Sequence, residues 1–195
     1  MAMTRQQLAE ARMQFYLHPV TNVRSHYKAS VAGVYRLVTD PLRYKGITEK
    51  LRSIEDEKEK KDFKKSNFDT ICASGLFTKK ADNCLLKHSG LIGIDIDHIG
   101  KEQVEEVKQE FIHDPILNHD LEVELAFRSP SGDGLKMLVE IDLEEATHEE
   151  WYRAIGNYIL MNYGIETDAN CKNVSRGCFL PFDIHCYVNP LVCPF

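Results

Sequence analysis

The clearest alternation of hydrophobic and polar positions lies at residues 91–97, which read LIGIDID. Apolar and other side chains alternate there with a period of two, which is typical of a β-strand. Aspartate is depleted in strands, so two aspartates on one predicted face indicate either a solvated sheet surface or a cation site. One face carries Ile92, Ile94 and Ile96. The other face carries Asp95 and Asp97.

Three segments have the apolar spacing of helices. Residues 41–67 are highly charged, and residues 101–112 form an amphipathic pattern that ends at an Asp-Pro pair. A third helix is predicted over residues 147–164, with Thr147 as its N-cap and Gly164 as its C-terminal stop. The positions expected to face the core in the last two helices are Val104, Val107, Phe111, Ile112, Trp151, Ile155, Tyr158 and Ile159.

Strand patterns alternate with these helices. Residues 69–78 resemble a strand that runs into a turn, residues 121–129 and 135–142 are strands joined by the turn PSGDG, and residues 177–183 contain a short strand. Residues 1–40 are ambiguous, with a strand-like segment followed by a run rich in β-branched side chains. The order of elements predicts an α+β fold, with a mainly antiparallel or mixed sheet and helices packed on one face.

Composition adds limits on the class of protein. The 195 residues are 43% hydrophobic and contain no repeat or linker, so we expect one domain over residues 1–195. No segment approaches about 18 consecutive apolar residues and the first residues lack an apolar signal region, which predicts a cytoplasmic protein without membrane contact. The six cysteines form no CxxC pair and are expected to be reduced thiols. Four of them lie in the last 25 residues near His185, which leaves a zinc site as an alternative.

Charge is distributed unevenly along the chain. The net charge is −6, yet residues 1–88 contain 17 Lys+Arg against 10 Asp+Glu, whereas residues 89–195 contain 7 against 20. This asymmetry is typical of a basic binding surface beside an acidic site. Solvated helix faces are the alternative, especially for residues 55–65, where the signs are mixed.

Three motifs contain the candidate chemistry. Asp95 and Asp97 are two positions apart on the predicted strand, so their carboxylates project in parallel, as for a hard cation such as Mg²⁺ or Mn²⁺. The loop RSPSGDGLK can turn backbone N–H groups toward an anion, although taken alone it is better explained as an ordinary Gly-rich hairpin, and it is no Walker A loop. In TDANCKNVSR, Asp168 and Arg176 fit a third carboxylate and a phosphate clamp, or else a turn residue and a surface charge.

In this order, the motifs resemble those of the archaeo-eukaryotic primase superfamily. The chain looks most like the primase-polymerase domains of plasmid, phage and mobile-element replication proteins, in the branch called VirE N-terminal-like. The resemblance covers roughly residues 63–190 and implies a primase-polymerase-type catalytic core there, with residues 1–62 as a basic N-terminal part.

The resemblance also implies a role for each motif residue. The metal-binding catalytic carboxylates would be Asp95, Asp97 and Asp168, with Asp183 as a second candidate for the third position. The nucleotide phosphates would be bound by Ser131, Gly132, Gly134, Lys136 and Arg176. Many superfamily members have His where this chain has Lys136, which departs from the family pattern.

The implied activity is that of a metal-dependent nucleotidyltransferase, a DNA primase or polymerase, with Mg²⁺ or Mn²⁺ as cofactor. Its partners would be a DNA template and primer, nucleoside triphosphates and a helicase in cis or trans. The candidate track for the DNA backbone comprises Lys64, Lys65, Lys79 and Lys80, together with Lys45, Lys50, Arg52, Lys60 and Lys61.

Two other functions remain as alternatives. One has the same fold but does not catalyse nucleotidyl transfer. It is a DNA-binding or origin-recognition module of a larger replication or mobilisation protein. The other is a metal-dependent phosphatase or nuclease built on the DxD motif. The haloacid-dehalogenase form of that motif is disfavoured, because Ile99 follows His98 where the pattern has Thr or Val.

Overall fold

The computed structural model describes residue 10 and residues 12–192. Within them lie ten strands: β1 (Met13–Tyr16), β2 (Lys28–Ala29), β3 (Thr70–Cys72), β4 (Gly75–Phe77), β5 (Leu85–His88), β6 (Leu91–Ile96), β7 (Val123–Arg128), β8 (Leu135–Glu140), β9 (Gly177–Phe179) and β10 (Tyr187–Val188). The α-helices of the same residues are α1 (Val31–Thr39), α2 (Pro41–Ser53), α3 (Glu57–Asn67), α4 (Val104–His113) and α5 (His148–Tyr163).

The strands form two four-stranded sheets and one hairpin. The first sheet has the order β2-β1-β3-β9, the second has the order β10-β7-β8-β6, and β4 pairs with β5. All of the strand pairs among the described residues are antiparallel. The predicted α+β class with an antiparallel sheet is therefore confirmed.

The second sheet separates two hydrophobic clusters. Ile92, Ile94 and Ile96 pack with the apolar sides of α4 and α5, as the period-two pattern predicts. On the opposite face, Leu125 and Phe127 pack against the first sheet and α1. The helices α4 and α5 thus cover one face, while the face that carries Asp95 turns toward the first sheet.

Among the described residues, residues 12–67 differ most from the prediction. Residues 31–39 form α1 despite their β-branched content, because Val31, Val34 and Val38 follow helical spacing into the core and Ser30 caps the first turn at Gly33. The single helix expected over residues 41–67 is two helices. The chain leaves α2 at Ile54 in an extended conformation, and Asp56 then caps α3 by accepting from the backbone of Glu59.

The N-terminal part is joined to the rest through Asp69, which is 1% exposed. Its carboxylate accepts hydrogen bonds from Arg43 and Tyr44 of α2, each at 2.8 Å, and from the backbone N–H of His18 at 2.9 Å. Burial alone would raise the pKa of Asp69, but these hydrogen bonds outweigh it and lower that pKa.

The end signals of the later helices are confirmed. Thr147 and Glu150 form a capping box at the start of α5, and Gly164 ends the helix with φ 68°. In the part of the chain that is described, no helix combines the length and the apolar character needed to cross a membrane.

Candidate active site

A cavity of about 560 Å³ opens between the face of the second sheet that carries Asp95 and the helix α3. It gathers residues from motifs that are far apart in the sequence. The predicted site residues that line it are Asp95, Asp97, Ser131, Lys136, Arg176, Lys61, Lys64, Lys65 and Lys80. Asp168, Lys79, Gly132 and Gly134 do not line it.

Strand pairing places Lys136 directly across from Asp95, in register between β8 and β6. The Lys136 ammonium contacts the Asp95 carboxylate, and its Nζ lies 3.5 Å from Oδ1 of Asp97. Lys136 is 8% exposed, and burial lowers its pKa to about 8. An internal cation therefore neutralises part of the acidic pair.

Asp168 is held beside Asp95 by the backbone. Its N–H donates to the carbonyl of Asp95 at 2.9 Å, and the Tyr152 hydroxyl donates to the carbonyl of Asp168 at 2.6 Å. Oδ1 of Asp168 accepts from the backbone of Asn170, so this residue is also a turn residue, as the alternative interpretation held. Its Oδ2 lies 3.5 Å from the guanidinium of Arg176.

Cys171 is a member of the site that the sequence did not indicate. Its Sγ lies 3.2 Å from Oδ2 of Asp168 and 3.6 Å from Oδ2 of Asp95. Burial, reinforced by Asp168, raises the pKa of the Cys171 thiol to about 12, so the thiol keeps its proton and donates to the carboxylates. Apart from its membership of the alternative zinc cluster, its sequence signal is its place three residues after Asp168.

The donor set can be tested for a metal ion. Asp95, Asp168 and Cys171 offer ligand atoms that all lie within 4.8 Å of one another. The two carboxylates fit a hard cation, whereas the protonated thiol supports them as a hydrogen-bond donor. Asp97 lies outside this group, and burial raises its pKa, with Asp168 adding to the shift and Lys64 opposing it.

The alternative third carboxylate, Asp183, is placed elsewhere. It is buried, accepts from the backbone N–H of Arg128 at 2.8 Å and lies 3.8 Å from Nζ of Lys108. Neither Asp183 nor Asp168 lines the cavity. The backbone N–H of Asp168 nevertheless donates to the carbonyl of Asp95, and the ligand atoms of the two residues lie within 4.8 Å of each other. Of the two candidates, the structure therefore places Asp168 beside Asp95.

The loop between β7 and β8 is closed by its own hydrogen bonds. The N–H groups of Gly132 and Gly134 donate to the carbonyl and the hydroxyl of Ser129, at 3.0 and 3.1 Å. A Cβ at Gly134 would lie 2.4 Å from the carbonyl oxygen of Ile96, so glycine permits the loop to approach the end of β6. Arg52 holds the loop from α2, donating to the carbonyls of Ser129 and Pro130. Phosphate binding by Gly132 and Gly134 stays a prediction.

The wall opposite the aspartates is basic. Lys61, Lys64 and Lys65 reach the cavity from α3, and Lys80 joins them after β4. Nζ of Lys80 donates to the Thr70 hydroxyl at 3.2 Å, and burial lowers the pKa of Lys80. Other members of the expected track make contacts elsewhere: Lys45 with Glu49, Lys60 with Glu57, and Lys50 over the ring of Phe63.

The cysteines are free thiols at the five positions that are described. Among the described residues, the groups able to hold a metal do not combine Cys171 with Cys178, Cys186 or His185. Cys193, the last member of the alternative zinc cluster, lies outside the described residues.

Comparison with protein families gives one relationship. A family model described as "BT4734-like, N-terminal domain" matches residues 62–188, which contain all three motifs. Neither the curated proteins nor the solved structures give a match. Because the matched segment spans more than half of the sequence, the chain belongs to the BT4734-like, N-terminal domain family.

Proposed function

We propose that this domain is a metal-dependent nucleotidyltransferase, a DNA primase or polymerase of the archaeo-eukaryotic primase superfamily, acting in mobile-element, plasmid or phage replication. The observation that supports it best is the cavity itself, in which Asp95 and Asp97 face the basic side chains of Lys64 and Lys65. Its volume of about 560 Å³ is in the usual range for small-molecule sites. A nucleoside triphosphate needs such a pairing of metal ligands with cationic groups.

In the proposed reaction, a 3′-hydroxyl attacks the α-phosphate of the incoming nucleotide and pyrophosphate leaves. Asp95 and Asp168 would hold Mg²⁺ or Mn²⁺, with Asp97 beside them. The ion supplies charge neutralisation at the phosphate and lowers the pKa of the attacking hydroxyl. Arg176 and Lys64 would bind the triphosphate oxygens, and Ser131 would orient them from the loop.

The template would follow the lysines of α3. These lie on the wall opposite the carboxylates, so a DNA backbone bound there would present a primer end to the metal ligands. Helicase activity would be supplied in cis or trans. We place the reaction in the cytoplasm, where thiols such as Cys72 and Cys178 stay reduced.

Primer extension tests the proposal directly. Wild-type protein with Mn²⁺ or Mg²⁺ is expected to extend a labelled primer on single-stranded DNA, and the variant Asp95→Ala with Asp97→Ala is expected to be inactive. No product from wild type would overturn the polymerase proposal. Product from the double variant would assign the reaction to another site.

A second candidate, the DNA-binding module, is favoured by the contacts of Lys136. Its ammonium neutralises Asp95 and lies 3.5 Å from Asp97, where it competes with a metal ion. Lys136→His separates the two functions, because imidazole keeps a polar group there with little positive charge at pH 8. A large gain in extension by this variant, from a wild-type level near zero, would support the binding module.

A further inference from the structure

A second group of carboxylates lies at the other end of β7 and β8. One carboxylate oxygen from each of Glu122, Glu124 and Glu140 lies within 4.8 Å of the other two. Glu140 is four residues along β8 from Lys136, which separates this group from the candidate active site by roughly 13 Å along the strand. We call these three residues the glutamate cluster.

The backbone at the start of β7 creates this convergence. The register between β7 and β8 shifts between Val123 and Leu125, so Glu124 is the extra residue of a β-bulge. Glu122 has φ 49°, and its carbonyl accepts from the N–H of Glu140 at 3.1 Å. These two irregular positions direct the side chains of β7 toward the end of β8.

Glu124 is the central member. It is 0% exposed, and both of its carboxylate oxygens are buried with no hydrogen-bond partner among the described residues. Oε2 of Glu122 is buried and unpartnered in the same way. A buried carboxylate without a partner is unfavourable unless a proton or a cation neutralises it.

The cluster is accessible from solvent. Glu122 and Glu140 are each partly exposed, so these two side chains join the buried Glu124 to the surface. Tyr187 of β10 borders the site: burial raises the pKa of Tyr187, and the charges of Glu124 and Glu122 add to that shift.

We propose that the glutamate cluster binds one hard divalent cation of the Ca²⁺ class, separate from the candidate active site. Three carboxylates supply up to six oxygen ligands, which suits the high coordination number and flexible geometry of Ca²⁺. A single proton on Glu124 would leave the buried Oε2 of Glu122 without a partner. The ion would stabilise the bulge and fix the start of β7 against β8.

Calcium binding in an inactive background tests the proposal independently of the nucleotidyltransferase. The triple variant Asp95→Asn with Asp97→Asn and Asp168→Asn removes the carboxylates of the candidate active site. Isothermal titration with Ca²⁺ is expected to give one site per chain in this background. Adding Glu124→Gln is expected to weaken binding roughly tenfold or more, because the buried ligand is removed. Glu145→Gln, which removes an exposed carboxylate outside the cluster, is the matched control and is expected to bind as its parent does.

Two results would overturn the proposal. One is the absence of Ca²⁺ binding in the triple-variant background. The other is equal affinity with and without Glu124→Gln, which would mean that Glu124 only holds a proton. Circular dichroism checks that Glu124→Gln is folded. If it is not, Glu122→Gln with Glu140→Gln replaces it, with the same expected loss and the same overturning result.

Discussion

Two acidic groups lie toward opposite ends of the second sheet, one beside Lys136 of β8 and the other at Glu140 of the same strand. At one end, Asp95 and Asp168 lie with protein cations, because Lys136 contacts the first and Arg176 approaches the second. At the other end, Glu124 is buried with both carboxylate oxygens unpartnered among the described residues. The two groups contain the same chemical function in different electrostatic surroundings.

The pKa values of Asp168 and Glu124 are shifted in opposite directions. Burial raises the pKa of Asp168, but hydrogen bonds from Asn170 and Cys171, with Arg176 nearby, outweigh it and lower that pKa overall. Burial, with Glu140 and Glu122 adding to it, raises the pKa of Glu124 to about 8. Internal donors therefore keep one carboxylate charged, whereas the other depends on a proton or an ion from solution.

The largest expected effect concerns the first group. Asp95→Asn with Asp168→Asn is expected to lower primer extension by roughly 10³-fold or more, because the charge that organises the phosphates is removed. Extension of a labelled primer in Mn²⁺ measures this, and Glu145→Gln serves as the control. A comparable loss from Glu124→Gln would contradict the separation of the two acidic groups, because it would show that both contribute to the reaction.

The second-largest expected effect is a pH dependence of the free energy of unfolding that is caused by Glu124. The native state keeps the Glu124 proton up to about pH 8, whereas the unfolded state releases it near the usual value of 4.5. The native state therefore binds more protons in this window, and stability that is present below pH 4.5 is lost as the pH rises through 8. We expect the free energy of unfolding of wild type, relative to Glu124→Gln, to fall by roughly 2–4 kcal/mol over this window without divalent ions. Urea unfolding at several pH values measures it, and a constant difference would contradict the assignment.

A smaller effect on stability is expected from a glycine in the loop between β7 and β8. Gly134→Ala places a Cβ against the carbonyl of Ile96, so we expect it to reduce stability by about 1–3 kcal/mol and to lower primer extension. Gly46→Ala in α2 is the matched control, since nothing lies within 4 Å of its Cβ. The control should gain about 0.5–1 kcal/mol from helix propensity. Thermal unfolding of both variants, with Ca²⁺ titration of Gly134→Ala, shows whether the glutamate cluster is unaffected.

The smallest effect concerns the lysines opposite the aspartates. Lys64→Gln with Lys65→Gln is expected to reduce the slope of log affinity against log salt on single-stranded DNA. The reduction should be about 0.7 for each phosphate that these lysines neutralise in wild type, because fewer counterions are then released on binding. Fluorescence anisotropy at several salt concentrations measures the slope. Lys45→Gln, whose ammonium lies 4.0 Å from Glu49 and not at the cavity, should keep the wild-type slope.

The features that depend on residues close together in the sequence were predicted correctly. The alternation around Asp95 correctly assigned the isoleucines to the core, and the signals at Thr147 and Gly164 correctly marked the ends of α5. The contact between Asp95 and Lys136 depends on strand register, which local patterns do not determine.

The remaining features depend on contacts between distant residues. Cys171 joins the site only after the chain has returned to β6, and α1 forms because its valines meet two sheets. The glutamate cluster depends on a bulge at Glu124, and no turn residue in the sequence indicates that bulge. In these places, contacts between distant residues outweighed the secondary-structure propensities of the local sequence.

The position of β1 has a practical consequence for experiments on the family segment. That segment starts at residue 62, yet β1 lies between β2 and β3, and Arg52 clamps the loop that follows β7. A fragment cut at residue 62 would leave the edge of β3 open to pairing with another molecule and would favour aggregation. The segment that recurs among relatives is therefore shorter than the segment that should be expressed, which has to include Met13.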